Sequence, residues 1–164
     1  MASDDALLAV AALLGVAAYI LCVDDAQAST TDTVPTDGGT DLNGWANNNP
    51  GNLVYISGDP FRGQTGKAGN FGVYDTLSNG VRAMGLTLTQ YYNSGLTTVT
   101  AIVTKYSTTN QASYIQNVSA WMQVDPNEPL SWPDDEVPLI QAMVRQEQGS
   151  SQMSDSDVAT YIAS

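Results

Sequence analysis

Residues 6–23, ALLAVAALLGVAAYILCV, form an unbroken run of uncharged and overwhelmingly apolar side chains. As an α-helix this run would be about 27 Å long, close to the roughly 30 Å hydrocarbon thickness of a bilayer. The run therefore predicts an N-terminal hydrophobic helix of the transmembrane type, preceding whatever else the chain folds into. Cys22, near the end of the run, is either a lipidation site or an inert buried thiol.

Two other interpretations of this run stay open. Ala26, Gln27 and Ala28 have the small-x-small form of a signal-peptide cleavage site, although the leading MASDD is acidic where signal peptides are normally cationic. The run could also be a helix that is buried in a protein assembly. The flanking residues do not orient a span, because Asp pairs lie on both sides and no Lys or Arg is near.

The composition changes near residue 41. The segment before it, AQASTTDTVPTDGGTD, has almost no apolar side chain and is rich in Thr, Asp, Gly and Pro, which is typical of a flexible tether. We therefore predict three parts: a hydrophobic helix with acidic flanks in residues 1–28, an acidic linker in residues 29–41, and one folded domain in residues 42–164.

The charged residues exclude several classes of function. The chain has 17 acidic and 5 basic side chains and a net charge of -12, which disfavours binding to nucleic acid. It has no histidine and a single cysteine, so disulfides, zinc sites and imidazole bases are not expected. We expect no metal and no cofactor, and acid–base chemistry must come from carboxylates, tyrosines or lysines.

The predicted domain is mainly α-helical, of the α+β class, with a small β and loop section. Turn formers dominate residues 47–52 and 57–72, and short extended segments around 53–56 and 71–74 are predicted to pair. Apolar spacing predicts helices over 79–93, 110–122 and 137–148, and a short last helix opening at Ser154. Residues 98–106 also have helical spacing, but their many β-branched side chains leave a strand open.

Glu147 is the residue that fits the helical pattern least. The apolar stripe of residues 137–148 runs through Val137, Ile140, Met143 and Val144, and its next position is Glu147. Either the last turn frays and Glu147 is a surface acid, or its carboxylate lines a cleft beside an apolar wall. In a cleft, desolvation and the negative end of the helix dipole would both favour the protonated form, as a general acid in glycoside cleavage requires.

The stretch LIQAMVRQEQGSS resembles the helix that carries the catalytic glutamate of lytic transglycosylases and related lysozyme-like enzymes. Gln148 stands where that family has a serine. YYNSG at 91–95 resembles the family's Tyr-Asn-x-Gly turn, and SYIQNV at 113–118 resembles its later tyrosine helix. The glutamate helix comes first in the family and last here, so the arrangement is similar to a circular permutation, which nearby termini would allow.

Residues 43–149 also resemble a set of bacteriophage virion proteins that degrade peptidoglycan. The shared pattern lies at Asn48–Leu53, Gly63–Gly66, Phe71, Gly80–Ala83, Gly95–Val99, Tyr114–Val118 and Glu147. The resemblance implies a lysozyme-like fold and a virion-associated enzyme, anchored in a membrane or an assembly, that opens the host cell wall locally during infection. Its partners would be peptidoglycan glycan strands and, through residues 6–23, a lipid membrane or other virion proteins, with a homo-oligomer in the assembly as one arrangement.

These considerations give a set of expected site residues. Glu147 is expected to be catalytic, with Asp59 or Asp75 as the second carboxylate if the scheme needs one. Asparagine amides can bind sugar hydroxyls, and aromatic rings can stack on sugar faces, although asparagines also form tight loops and aromatics at helical spacing are usually core. The expected substrate-binding residues are Asn48, Asn49, Asn52, Tyr91, Tyr92, Asn93 and Tyr114.

A different class of function fits the same sequence. A non-catalytic virion or membrane-anchored assembly protein could keep a lysozyme-like scaffold for attachment, because a fold does not establish an activity. The environment of Glu147 discriminates between the two, since an exposed side chain with no cleft would favour the structural role.

Overall fold

The computed structural model describes residues 43–58 and 61–164. The predicted hydrophobic helix, the linker, Cys22 and Asp59 lie outside these residues. The described part has five helices and one two-stranded sheet. In chain order they are β1 (Gln64–Ala68), β2 (Phe71–Tyr74), α1 (Leu77–Asn93), α2 (Val99–Tyr106), α3 (Gln111–Met122), α4 (Glu136–Gln148) and α5 (Asp155–Ile162).

The prediction of a mainly α-helical domain is confirmed, and each helix predicted within residues 43–164 forms. Residues 99–106 are a helix rather than a strand, begun by Thr98, whose side chain accepts a hydrogen bond from the backbone N–H of Ala101. The last helix begins with a reciprocal capping box between Ser154 and Asp157. The longest helix starts at Leu77, two residues earlier than predicted, because the side chain of Thr76 accepts a hydrogen bond from the backbone N–H of Asn79 and caps it.

The predicted pairing of residues 53–56 with 71–74 forms in part: the backbone N–H of Gly72 donates to the carbonyl of Leu53 at 2.8 Å, beside an antiparallel bridge between Val54 and Phe71. The strand that forms a ladder with residues 71–74 is a different one, since β2 pairs antiparallel with β1. β1 reads QTGKA, which lacks the alternation of apolar residues that predicts a strand. Its pairing depends instead on the tight turn at Gly69, whose φ of 57° suits glycine.

The core lies where α1 and α4 meet the other helices. α1 packs against α2, α4, α5 and β2, and α4 packs against α1, α3 and α5. Burying these apolar faces supplies most of the stabilisation of the domain. The hydrophobic side chains with no measurable exposure are Leu53, Val81, Met84, Leu88, Val99, Ile102, Val103, Tyr106, Val118, Leu139, Ile140, Met143, Val144 and Val158.

None of the helices within residues 43–58 and 61–164 combines the length and the apolar composition that crossing a membrane requires.

Candidate functional site

Glu147 continues the buried stripe of α4 at the point where the helix ends. Ile140, Met143 and Val144 are fully buried, and Glu147 in the last turn is half-buried. The helix stops at Gly149, whose φ of 77° is the left-handed conformation typical of a helix C-terminus. The carboxylate therefore extends the apolar stripe of α4 by one position, next to the glycine at which the helix ends.

The Asn-rich turn of residues 47–52 lies against this end of α4. The Nδ2 of Asn52 donates to the Oε2 of Glu147 at 3.0 Å. Next along the helix, the Nε2 of Gln148 donates to the carbonyl of Pro50 at 3.1 Å and to the Oδ1 of Asn52 at 3.3 Å. Asn52 thus accepts from one helix residue and donates to its neighbour, which fixes the orientation of the glutamate.

The turn itself is held by buried contacts. The Tyr106 hydroxyl at the end of α2 donates to the carbonyl of Gly51. The Nδ2 of Asn48 donates to the carbonyl of Tyr74 at 2.9 Å. On α1, Gly80 lies so close to the turn that an added Cβ would stand 1.7 Å from the carbonyl oxygen of Asn48. Only a residue without a side chain allows this approach, so α1 and α2 both position the turn.

The three predicted asparagines have different environments. Asn49 is fully buried. Its Nδ2 donates to the carbonyl of Leu53, and its Oδ1 accepts from the backbone N–H of the same residue. It also donates to the carbonyl of Gly72 at 2.9 Å. Asn48 is half-buried, and its Nδ2 donates a hydrogen bond to the carbonyl of Tyr74. Only Asn52 places its amide against Glu147, so Asn49 is a structural residue of the turn.

Two of the predicted tyrosines belong to the core. Tyr91 on α1 is 5 % exposed and Tyr114 on α3 is 3 % exposed. Their aromatic faces therefore pack against other side chains rather than face solvent, as aromatic residues at helical spacing usually do.

Tyr92 and Asn93 lie at the other end of α4 from Glu147. The Tyr92 ring stacks on Trp132 with centroids 4.9 Å apart, and its hydroxyl donates to the carbonyl of Leu130 at 3.1 Å. Trp132 lies just before the start of α4. Glu147 lies eleven residues after Glu136, the first residue of α4, which is about 16 Å along the helix axis at a rise of 1.5 Å per residue. Asn93 is exposed at the end of α1. The structure thus brings Asn52 to Glu147 and leaves Tyr92 and Asn93 elsewhere.

Asp75 is exposed and bonds its own neighbours. Its Oδ1 accepts from the Nδ2 of Asn79 at 2.7 Å and from the Thr76 hydroxyl at 3.3 Å. The hydrogen bond from Asn79 holds the pKa of Asp75 below its usual range. Neither contact joins it to Glu147. Asp59, the other expected partner, lies outside the described residues.

Sequence reasoning missed Glu136, the one buried carboxylate in the described part of the chain. It is 9 % exposed at the start of α4, and its Oε1 accepts from the Thr89 hydroxyl at 3.0 Å. Gly85 on α1 makes room for it, because an added Cβ there would stand 3.3 Å from the Oε1 of Glu136 and 2.7 Å from Ile162. Burial raises the pKa of Glu136, and the Thr89 hydrogen bond opposes that rise.

An acid in the first turn of a helix usually faces solvent and complements the helix dipole, so Glu136 gives no unusual signal in the sequence. The available signal is on the other helix, where Gly85 and Thr89 place two small residues one turn apart on the same face of α1.

No family model matches the chain, and no curated protein is significantly similar to it. Within residues 43–58 and 61–164, no three His, Cys, Asp or Glu side chains group in a way that could hold a metal ion.

Proposed function

We propose that the chain is a peptidoglycan-cleaving enzyme of the lytic transglycosylase or muramidase type, with a lysozyme-like fold, carried by a phage particle. The observation that supports this most is the half-buried Glu147, which ends an apolar stripe and accepts a hydrogen bond from Asn52. The resemblance of residues 43–149 to phage peptidoglycan-degrading proteins agrees with it. Residues 6–23 would anchor the enzyme in a membrane or in the particle.

In the proposed reaction Glu147 acts as a general acid. It protonates the glycosidic oxygen between two sugars of a glycan strand as the bond from that oxygen to the anomeric carbon breaks. The same carboxylate, now ionised, then takes a proton from a hydroxyl of the same sugar, whose oxygen closes an internal ring on the anomeric carbon. One carboxylate suffices for both steps. Asn52 is the positioning residue, since its amide holds the carboxyl group in one orientation.

A water molecule could complete the reaction in place of the internal hydroxyl. That muramidase scheme uses a second carboxylate to stabilise the developing positive charge or to activate the water. Asp75 bonds to Asn79 and Thr76 instead, which favours the single-glutamate scheme over one that uses Asp75.

The alternative is a non-catalytic protein that keeps the scaffold for attachment or assembly. A specific observation favours it: Asn52, Gln148 and Glu147 together hold the Asn-rich turn against α4, which is a sufficient structural reason for all three. In this alternative Glu147 is an acceptor that stabilises the turn, and the chain binds its partners without cleaving them.

Digestion of purified cell-wall sacculi by the full-length chain in detergent distinguishes the two functions. The enzyme is expected to release soluble glycan fragments, and their masses identify the reaction. Ring-closed ends weigh one water less than hydrolysed ends, so anhydro ends support the single-glutamate scheme and reducing ends alone would exclude it. A chain that binds sacculi and releases nothing would contradict the proposed enzyme.

A further inference from the structure

A groove lies on α4 beside the candidate site and has no part in the proposed reaction. It has a volume of about 620 Å³ and runs between the end of α3, the ridge of α4 that carries Pro138, Ala142 and Arg145, and the segment 149–153 that follows α4. This volume is within the range typical of small-ligand sites.

Arg145 provides the groove with an unusually free positive charge. Its guanidinium carbon lies 4.3 Å from the centre of the Trp121 ring. Within the described residues this ring contact is its only side-chain interaction, although the chain has 17 acidic side chains for 5 basic ones. A guanidinium stacked on an aromatic face keeps its N–H donors in its own plane, where they can bind a carboxylate in a bidentate manner.

Gln141 on α4 holds the opposite wall of the groove, residues 151–155, through hydrogen bonds. Its Nε2 donates to the carbonyl of Met153 at 2.9 Å and to the Oδ1 of Asp155 at 3.1 Å, and its Oε1 accepts from the hydroxyl of Ser151. These three contacts bring the segment after α4 back along the helix. The groove therefore has a positive group at Arg145, a carboxylate at Asp155, and apolar surface from residues such as Met122 and Ala142 between its walls.

We propose that this groove binds a short peptide with a free carboxylate and a free amine, namely the peptide stem that hangs from peptidoglycan glycan strands. The assignment of the stem as the peptide rests on the proposed function. A stem offers carboxylates for Arg145, alanine methyl groups for the apolar walls, and the amine of a diamino acid for Asp155. Opposite charges in one groove suit such a zwitterionic peptide better than a purely acidic ligand.

The position of the groove relative to Glu147 defines the path that a stem would take. Arg145 precedes Glu147 by two residues on α4, and the groove continues into Gly149 and Ser150 directly after the helix. Residues two apart are about 200° apart around the helix axis, so Arg145 and Glu147 lie on nearly opposite sides of α4. The groove reaches the end of the helix that carries Glu147 through Gly149 and Ser150. A peptide that branches from a sugar near Glu147 would reach the groove by passing this helix end.

The test is the binding of the free stem tetrapeptide, released from sacculi by an amidase, to the full-length chain and its variants. Arg145→Gln is expected to weaken binding about tenfold, the effect of losing a charge-assisted hydrogen-bond pair. Arg145→Lys should recover only part of the loss, since an ammonium cannot bind a carboxylate in a bidentate manner. The matched control is Lys105→Gln, which makes the same charge change at an exposed position of α2.

Melting curves of the variants show whether each remains folded. If Arg145→Gln is destabilised, the peptide affinity of the wild type is compared with that of Arg145→Lys instead. Peptide affinity that is equal in the wild type and in both Arg145 variants would overturn the proposal, as would the absence of binding by the wild type.

A second measurement separates this proposal from the proposed function. If the chain cleaves glycan strands, it should cleave stem-bearing strands faster than strands stripped by an amidase, and Arg145→Gln should lose that preference while still cleaving stripped strands. If the chain cleaves neither kind of strand, the proposed function fails. The peptide titration alone then tests whether the groove binds the stem peptide. Equal cleavage of both substrates by the wild type would count against a stem in the groove.

Discussion

Asn52 donates a hydrogen bond of 3.0 Å to Glu147 across 95 positions of sequence. The contact joins a left-handed turn residue, φ 51°, to the last turn of α4. Because the same asparagine also accepts from Gln148, its side chain has one orientation, with the amide nitrogen towards the glutamate. Glu147 therefore has a fixed place in the fold, which both of its possible roles require.

Replacing Glu147 by glutamine tests its role most directly. Glutamine keeps the side-chain shape and can still accept from Asn52, so the melting temperature should stay nearly unchanged. Release of glycan fragments should fall by a factor of about 10²–10⁴ or more, since the proton donor is lost. Fragment release is read by zymography with sacculi. Glu128→Gln, at an exposed position, is the charge-matched control. Unchanged release would make Glu147 a surface or structural acid.

Two substitutions of Asn52 test the hydrogen bond. Asn52→Gly removes the donor and tolerates the left-handed backbone, and we expect a loss of about 1–2 kcal/mol in the free energy of unfolding. Asn52→Asp also tolerates this backbone but sets a second carboxylate against Glu147, so it should cost more near neutral pH. Near pH 4, about where carboxyls protonate, the extra cost should shrink. Denaturant titrations at both pH values measure it, with the same substitutions at Asn110 as controls, since Asn110 is exposed and has a left-handed backbone with a φ of 49°.

Gly80 should be irreplaceable where α1 meets the Asn-rich turn. An added Cβ would stand 1.7 Å from the carbonyl of Asn48, and backbone on both sides prevents an easy adjustment. Gly80→Ala is expected to lower the free energy of unfolding by about 2 kcal/mol or more. Gly66→Ala in β1 is the control, because no atom lies within 4 Å of its added Cβ. Equal melting temperatures for the two variants would show that the turn does not pack on α1 in this way.

Glu136 should make the stability of the domain depend on pH. Its pKa is raised in the folded state by burial, so the folded protein holds this proton more tightly than the unfolded chain. The associated stability is fully present below the ordinary pKa of a glutamate and is lost as the pH rises through the raised value. Glu136→Gln should remove this slope and raise the melting temperature at neutral pH, with little change in acid.

Melting curves of wild type and Glu136→Gln across this pH window check the prediction, and exposed Glu128→Gln serves again as the control. A variant that melts lower than the wild type at neutral pH would mean that the ionised carboxylate of Glu136 stabilises the start of α4 instead.

The helices could be predicted because their signals are local. Apolar spacing and a capping residue such as Ser154 act within a few positions of each other, and both survive in the fold. β1 could not be predicted, because its polar residues pair through the turn at Gly69 rather than through their own propensity. The apolar residues near Val54 gave a strand signal, and this segment does pair with Phe71, but only through an isolated bridge. The backbone N–H of Leu53 bonds to the side chain of Asn49 instead of extending a ladder.

The candidate site could be predicted only in part. The stripe of α4 pointed to Glu147, because a carboxylate at an apolar position is visible in one segment alone. The roles of the asparagines were not visible, since an amide that bonds backbone, as in Asn49, and one that faces a carboxylate, as in Asn52, have the same residue type. The burial of Glu136 could not be predicted for a related reason, because it depends on Gly85, fifty-one positions earlier in the chain.

The long sequence separation of Asn52 and Glu147 also has a consequence for biosynthesis. At about 5–20 residues per second, a ribosome adds Glu147 several seconds after Asn52, and until then the Asn-rich turn lacks the helix end that holds it. The pair can form only once nearly the whole described domain has emerged, and contacts between residues so far apart in sequence slow folding because a long loop must close first. A nascent or prematurely terminated chain that stops before α4 would thus contain the turn without its glutamate, and the site could not assemble in it.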